Sequence, residues 1–132
     1  MNLLDTNVCV DVLRRRSARL MQRFRDAGAE QLAVSSITAG ELFAGALKSS
    51  RVQENLAAAE LLLSGLNVLS FDAEAARTYG VVRSQLERTG RRIGELDMLI
   101  AAQAVASDAV LVTNNTREFG RVEGLTLEDW TK

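Results

Sequence analysis

The chain alternates short apolar runs with longer stretches in which apolar residues recur every three or four positions. The first pattern predicts buried strands, and the second predicts helices with one inward face. Leu3-Leu4 is a short strand ending in the polar turn Asp5-Thr6-Asn7, with Asn7 capping a short helix to about Leu13. Residues 17–28 form a helix between the cap Ser17 and the stop Gly28. Leu32-Ala33-Val34 is a second strand, ending at Ser35-Ser36. Thr38 and Glu41 have capping-box spacing at the start of the next helix. Ala39, Leu42, Phe43, Ala46 and Leu47 give that helix a buried face to about Lys48. An Ala- and Leu-rich helix follows over 51–64, and residues 67–71 are a third strand. Asp72 caps a long helix from 73 to about 88. A basic loop, 89–94, leads into a helix from about Glu95 to Ala106, with Leu96, Ile100, Ala101 and Ala104 inward. Ala109 to Val112 is a fourth strand with a polar exit at 113–116, and 125–127 is a last edge strand.

Strands alternating with helices predict an α/β fold: a three-layer sandwich whose mostly parallel central sheet is flanked by helices. The 132 residues contain no linker, repeat or low-complexity run, so a single domain over 1–132 is expected. In such sheets ligands collect at the carboxyl ends of the strands.

Composition narrows the chemistry. Hydrophobic residues at 47% and charged residues at 25% belong to an ordinary globular domain and exclude a disordered one. No apolar run approaches the ~20 residues that cross a bilayer. The opening segment carries Asp5 and Asp11 and has no basic n-region, so the expectation is a cytoplasmic protein without a secretory signal or membrane contact. One cysteine, Cys9, excludes an internal disulfide framework and a Cys-rich zinc site, and reads as a small core residue. The absence of histidine removes Ser-His-Asp triads, Cys-His pairs and HExxH zinc sites together. Acid–base or metal chemistry must then run on carboxylates, Lys, Tyr, Cys or metal-bound water.

The positions of the acids are the informative feature. Asp5 follows the first strand, Glu41 lies in the first turn of the helix after the second strand, and Asp97 lies in the first turn of another helix. Glu118 lies in the loop after the fourth strand. The strand-end rule brings the four to one edge of the sheet. Gathered carboxylates repel one another, and a divalent cation removes that cost. Hard oxygen donors select Mg²⁺ or Mn²⁺, and such a site supports metal-assisted phosphodiester hydrolysis.

Four segments carry a family resemblance: Leu3-Leu4-Asp5-Thr6-Asn7, Ser36-Ile37-Thr38-Ala39-Gly40-Glu41-Leu42 followed by Gly45, Asp97 to Ala104, and Val112 to Phe119. In order and spacing they resemble the motifs of PIN-domain ribonucleases of the VapC type, the toxin half of bacterial toxin–antitoxin pairs. The resemblance implies Asp5, Glu41 and Asp97 as metal-site acids and Glu118 as a fourth, outer acid. Many relatives have an aspartate where Asn115 stands, so Asn115 is expected as a neutral ligand or water-positioning group, and one or two metal ions both remain open. Thr6, Asn7 and Thr113 would orient the carboxylates or the water. The family also implies Mg²⁺ or Mn²⁺, a homodimer, and an antitoxin covering the acidic pocket. Its RNA substrates are structured, and the segments Asn115-Thr116-Arg117-Glu118-Phe119 and Leu127-Glu128-Asp129-Trp130 look most like members that act on transfer RNA, initiator transfer RNA among them.

Each feature also has a plainer reading. Glu41 serves equally as a capping-box acid, Asp97 complements a helix dipole, Glu95 is a solvent-facing acid, and Asp11 is a surface or dimer-adjacent one. Residues 14–25 hold six arginines and no acid. That run is either a solvated face or a phosphate-tracking patch for RNA, with Arg14, Arg15 and Arg19 as contacts and Arg91 and Arg92 as a second group. Aromatic residues are only 5%, which disfavours recognition by base stacking and favours folded RNA read by shape and backbone. A competing function from another class is a catalytically weakened module that binds RNA or a partner without cutting. A phosphate-accepting receiver needs a lysine after a late strand, where this chain has Thr113 and Asn114.

Overall fold

In the computed structural model, which describes Met1–Lys132, five strands form one sheet: β1 (Asn2–Leu4), β2 (Leu32–Ser35), β3 (Asn67–Leu69), β4 (Val110–Val112) and β5 (Thr126–Glu128). Their order is β3-β2-β1-β4-β5 and every pairing is parallel. Seven α-helices accompany them: α1 (Thr6–Leu13), α2 (Ala18–Ala27), α3 (Ser36–Lys48), α4 (Val52–Ser64), α5 (Ala73–Arg88), α6 (Glu95–Ala106) and α7 (Thr116–Phe119). The α/β sandwich expected from the patterning is the observed fold, with a sheet that is parallel throughout.

The two-residue period of the strands explains the three layers. Leu3, Ala33 and Leu111 point to one face, where Leu86 of α5 and Met98, Ile100 and Ala101 of α6 cover them. Leu4, Val34 and Val112 point to the other, against Val8 and Val12 of α1, Leu20 of α2, Leu42 of α3 and Ala59 of α4. Leu3, Leu4 and Leu111 are all fully buried, and each contributes about 1.5–3 kcal/mol through removal from water.

Strand order then locates the site. The chain steps from β1 outward to β2 and β3, and returns to the other side of β1 as β4. The crevice of a parallel sheet lies where the order reverses, here between the carboxyl ends of β1 and β4. Asp5 and Thr113 are the residues that leave those two strands.

Several local expectations are corrected. Asp5, not Asn7, caps α1, because its extended backbone (φ −75°, ψ 169°) aims the carboxylate at the Val8 N–H. Thr38 and Glu41 do not form a capping box. Ser35 already caps the helix from the end of β2, so α3 starts at Ser36 and both residues lie inside it. Leu96 is 46% exposed rather than inward, whereas Met98, Ala102 and Gln103 are buried, because α6 is enclosed by the sheet and α5. Glu118 sits in the one-turn helix α7, not in a loop. The ends of α2 agree with the sequence: Ser17 caps it, and Gly28, at φ +80°, stops it.

Candidate active site

Asp5 is the anchor. Its own N–H donates to the carbonyl of Val112 at 3.1 Å, which fixes it across the β1–β4 crevice. Its Oδ1 accepts the Val8 N–H at 2.8 Å and its Oδ2 accepts the Thr113 hydroxyl at 2.5 Å. At 3% exposure the carboxylate is almost fully desolvated. Burial pushes its pKa up to about 6; the two hydrogen bonds pull it down, and the charges of Asp97 and Asp11 push it further up.

Glu41 reaches the site from α3. Thr6, the first residue of α1, lies 2.6 Å from Oε1 of Glu41 and 3.1 Å from the Thr38 hydroxyl. A hydroxyl has one proton, and the carboxylate is the stronger acceptor, so Thr6 donates to Glu41. The start of α3 is itself fixed: the buried Ser35 hydroxyl accepts the Ile37 N–H at 3.1 Å and donates to Oε1 of Gln103 in α6 at 3.0 Å.

Asp97 lies half-buried in the first turn of α6. Burial raises its pKa first, and the charges of Glu118 and Glu41 raise it further. These shifts tie Asp5, Asp97, Glu41 and Glu118 into one electrostatic neighbourhood. Asn115 caps α7 and holds Glu118: its Nδ2 donates to Oε2 of Glu118 at 3.2 Å, and its Oδ1 accepts the Glu118 N–H at 3.5 Å. The Asn115 N–H donates to the Thr113 oxygen at 2.9 Å. A continuous chain therefore runs from Glu118 through Asn115 and Thr113 to Asp5.

The acids are neighbours rather than a closed cage, since no three of them are drawn close enough to hold an ion together. The donor chemistry nonetheless fits a hard divalent cation. Every donor is oxygen, and burial together with the neighbouring acids opposes the ionisation of Asp5 and Asp97. Asp5, Asn7 and Asn115 open onto a cleft of about 470 Å³.

The fold does not bring all the expected RNA contacts to this cleft. Arg14 lines it. Arg19 donates to the Lys132 carbonyl, and Arg92 pairs with Glu95 at 3.0 Å and Glu87 at 3.8 Å. Arg15 ends α1 in the left-handed region at φ +50°, and Arg91 is exposed after α5. Asp11, expected as a surface or dimer-adjacent acid, lines the cleft as well, together with Arg16 of the arginine run and Asn114 of the strand exit. A signal for Asp11 was present: Asn7, Asp11 and Arg14 stand four and seven residues apart, on one face of α1.

The sequence matches the PIN domain over residues 3–125. It is 42% identical over 129 residues to the tRNA(fMet)-specific endonuclease VapC of Shigella flexneri, covering 98% of this chain and 97% of that one. It is 41% identical over 128 residues to ribonuclease VapC2 of Haemophilus influenzae, covering 97% and 96%. Among solved structures, DNA-bound VapBC from Salmonella typhimurium superposes with a TM-score of 0.93 at 40% identity, covering 98% and 97% of the two chains. VapBC2 from Rickettsia felis, bound to a promoter DNA fragment, gives 0.92 at 36%, covering 98% of each. The carboxylate edge thus sits on a fold and a sequence that agree over nearly their whole length with these ribonucleases, and the chain belongs to the VapC branch of the PIN-domain family.

Proposed function

We propose that residues 1–132 form one PIN-like domain acting as a metal-dependent endoribonuclease, the toxin of a toxin–antitoxin pair, on transfer RNA and initiator transfer RNA in particular. The observation that carries this reading is the acid cluster at the sheet's switch point, where Asp5 is pushed up to about 6 and Asp97 is raised by Glu118 and Glu41. The substrate rests on similarity to relatives named for tRNA(fMet).

Asp5, Glu41 and Asp97 would hold Mg²⁺ or Mn²⁺, with Glu118 as the outer acid. The cation would neutralise the crowded carboxylates and make water a better nucleophile at neutral pH. The protein's own groups do the positioning. Thr113 and the Val8 N–H fix both oxygens of Asp5, Thr6 fixes Glu41, and Asn115 fixes Glu118. In the reaction, a water oxygen bonds to phosphorus in line while the P–O3′ bond breaks. The 3′ oxygen takes up a proton, and the products carry 5′-phosphate and 3′-hydroxyl ends. The proton that the water loses and the one that the 3′ oxygen gains are exchanged with solvent.

Similarity to VapBC complexes supports an antitoxin partner; an antitoxin seated over this pocket and a homodimer are further parts of the same proposal. No helix is long and apolar enough to cross a membrane, and action on transfer RNA would place the protein in the cytoplasm.

The test is an incubation of the purified protein, freed of any partner, with total transfer RNA in Mg²⁺, in Mn²⁺ and in EDTA, beside Asp97→Asn in Mg²⁺. Discrete fragments with 5′-phosphate ends, absent in EDTA and in the variant, are expected. No cleavage of transfer or ribosomal RNA in any arm would leave a binding module instead of a nuclease.

A further inference from the structure

The fold sorts the six arginines of residues 14–25. Three of them serve elsewhere: Arg19 donates to the Lys132 carbonyl, Arg25 donates to Gln22 at 3.1 Å, and Arg23 pairs with Glu128 at 3.1 Å and lies 5.2 Å from the Trp130 ring centre. Arg15 closes α1. Its N–H donates to the Val12 carbonyl and the Arg16 N–H to the Asp11 carbonyl, both at 3.1 Å, which is a Schellman turn with a non-glycine residue at φ +50°. Arg14 and Arg16 flank that turn, and both line the cleft that Asp5 opens onto.

Asp11 lines the same cleft. Its Oδ2 accepts from Nδ2 of Asn114 at 3.1 Å, and its Oδ1 lies 3.8 Å from Nε of Arg16. The Arg16 side chain is 58% exposed. A pair this open and this long is held weakly. A phosphodiester oxygen accepts shorter, charge-assisted hydrogen bonds from a guanidinium, so it displaces Asp11 from Arg16 readily. The same carboxylate repels a phosphate that arrives beside it.

We propose that Arg14 and Arg16 are the backbone-phosphate contacts for RNA entering the Asp5 cleft, and that Asp11 is a positioning residue that occupies Arg16 and Asn114 until a phosphate replaces it. The inference rests on the reading of this cleft as an RNA site. It makes the contact set small, two arginines out of six, and it makes Asp11 a brake on affinity.

The experiment is a salt titration of binding, followed by fluorescence anisotropy with labelled transfer RNA. It is carried out in EDTA so that no cleavage intervenes, on the full chain and on Arg14→Ala, Arg16→Ala, Arg25→Ala and Asp11→Asn. Each phosphate contact contributes about 0.7–0.9 to the slope of log affinity against log salt. Arg14→Ala and Arg16→Ala should each weaken binding and flatten the slope by roughly that amount. Arg25→Ala, removed from the same basic run, should leave the slope as it is. Asp11→Asn should bind about threefold to tenfold more tightly and, with metal restored, show a lower KM.

Arg14→Ala and Arg16→Ala slopes no different from that of Arg25→Ala, or weaker binding by Asp11→Asn, overturn the proposal. So does a wild-type protein that binds no RNA in this assay. Cleavage that persists with unaltered slopes sinks the phosphate contacts and leaves the nuclease standing. Altered slopes in a protein that never cleaves do the reverse.

Discussion

Asp5 ends β1, caps α1 and faces the other acids, and these duties conflict. The cap and the Thr113 bond favour its carboxylate, while burial and the neighbouring charges oppose it more strongly, so the pKa settles at about 6. The folded state therefore binds this proton more tightly than the unfolded chain, where an aspartate titrates near 4. By linkage, the metal-free protein is most stable below that range, and the contribution is lost as pH climbs through about 4 to about 6. The loss is at most about 3 kcal/mol, and Asp97 acts in the same direction. Asp5→Asn keeps an acceptor for the Val8 N–H and removes the charge. In EDTA at pH 7.5 it should melt a few degrees above wild type, with that gain shrinking toward pH 4.5, and it should have no nuclease activity. A lower melting temperature for the variant at pH 7.5 would contradict this account of the site. Activity and stability then make opposite demands of a single atom group, as is common where like charges are gathered for chemistry.

At the scale of elements, the site depends on where helices begin. Ser35 is fully buried; its hydroxyl caps α3 and also bonds to Gln103 of α6. It thus sets the start of the helix that carries Glu41 and ties it to the helix that carries Asp97. Ser35→Ala removes the cap and strands Oε1 of Gln103 in the interior, so a loss of about 1–3 kcal/mol is expected in urea unfolding at unchanged m-value. A loss below a few tenths would mean that the cap is redundant. The sequence exposed most of this layer. The apolar pairs and triplets marked β1, β2 and β4, and Ser17, Gly28 and Asp72 marked helix ends that the structure keeps. The start of α3 was obscured because Thr38 and Glu41 imitate a capping box, while the true cap is the last residue of β2. A helix of one turn such as α7 is too short for periodicity to reveal. Asp5, Glu41 and Asp97 were legible because each sits within two turns of a strand or helix start. The division of the arginines was not, because it depends on contacts such as Arg23 to Glu128, 105 residues apart in sequence.

Across the whole molecule, one parallel sheet aligns strand ends from distant parts of the chain, and these deliver four acids to one edge. The apolar layers on both faces of the sheet supply the stability that keeps those acids together. A cation that binds this edge changes the balance for the entire fold, because ligand binding to the native state stabilises it by RT ln(1 + [L]/Kd). Mg²⁺ at a hundred times its Kd should contribute about 2.7 kcal/mol, visible as a rise of several degrees in melting temperature. The rise should be small at pH 4.5, where protons compete for Asp5 and Asp97, and should grow toward pH 7.5. Mg²⁺ therefore flattens the fall in stability with pH that the metal-free protein shows, and in Asp5→Asn the Mg²⁺ gain should be largely lost at every pH. Differential scanning calorimetry of both proteins over this pH range is the check. An equal Mg²⁺ shift in wild type and variant would place the ion elsewhere on the surface. No shift in wild type at pH 7.5 would remove the metal from the mechanism.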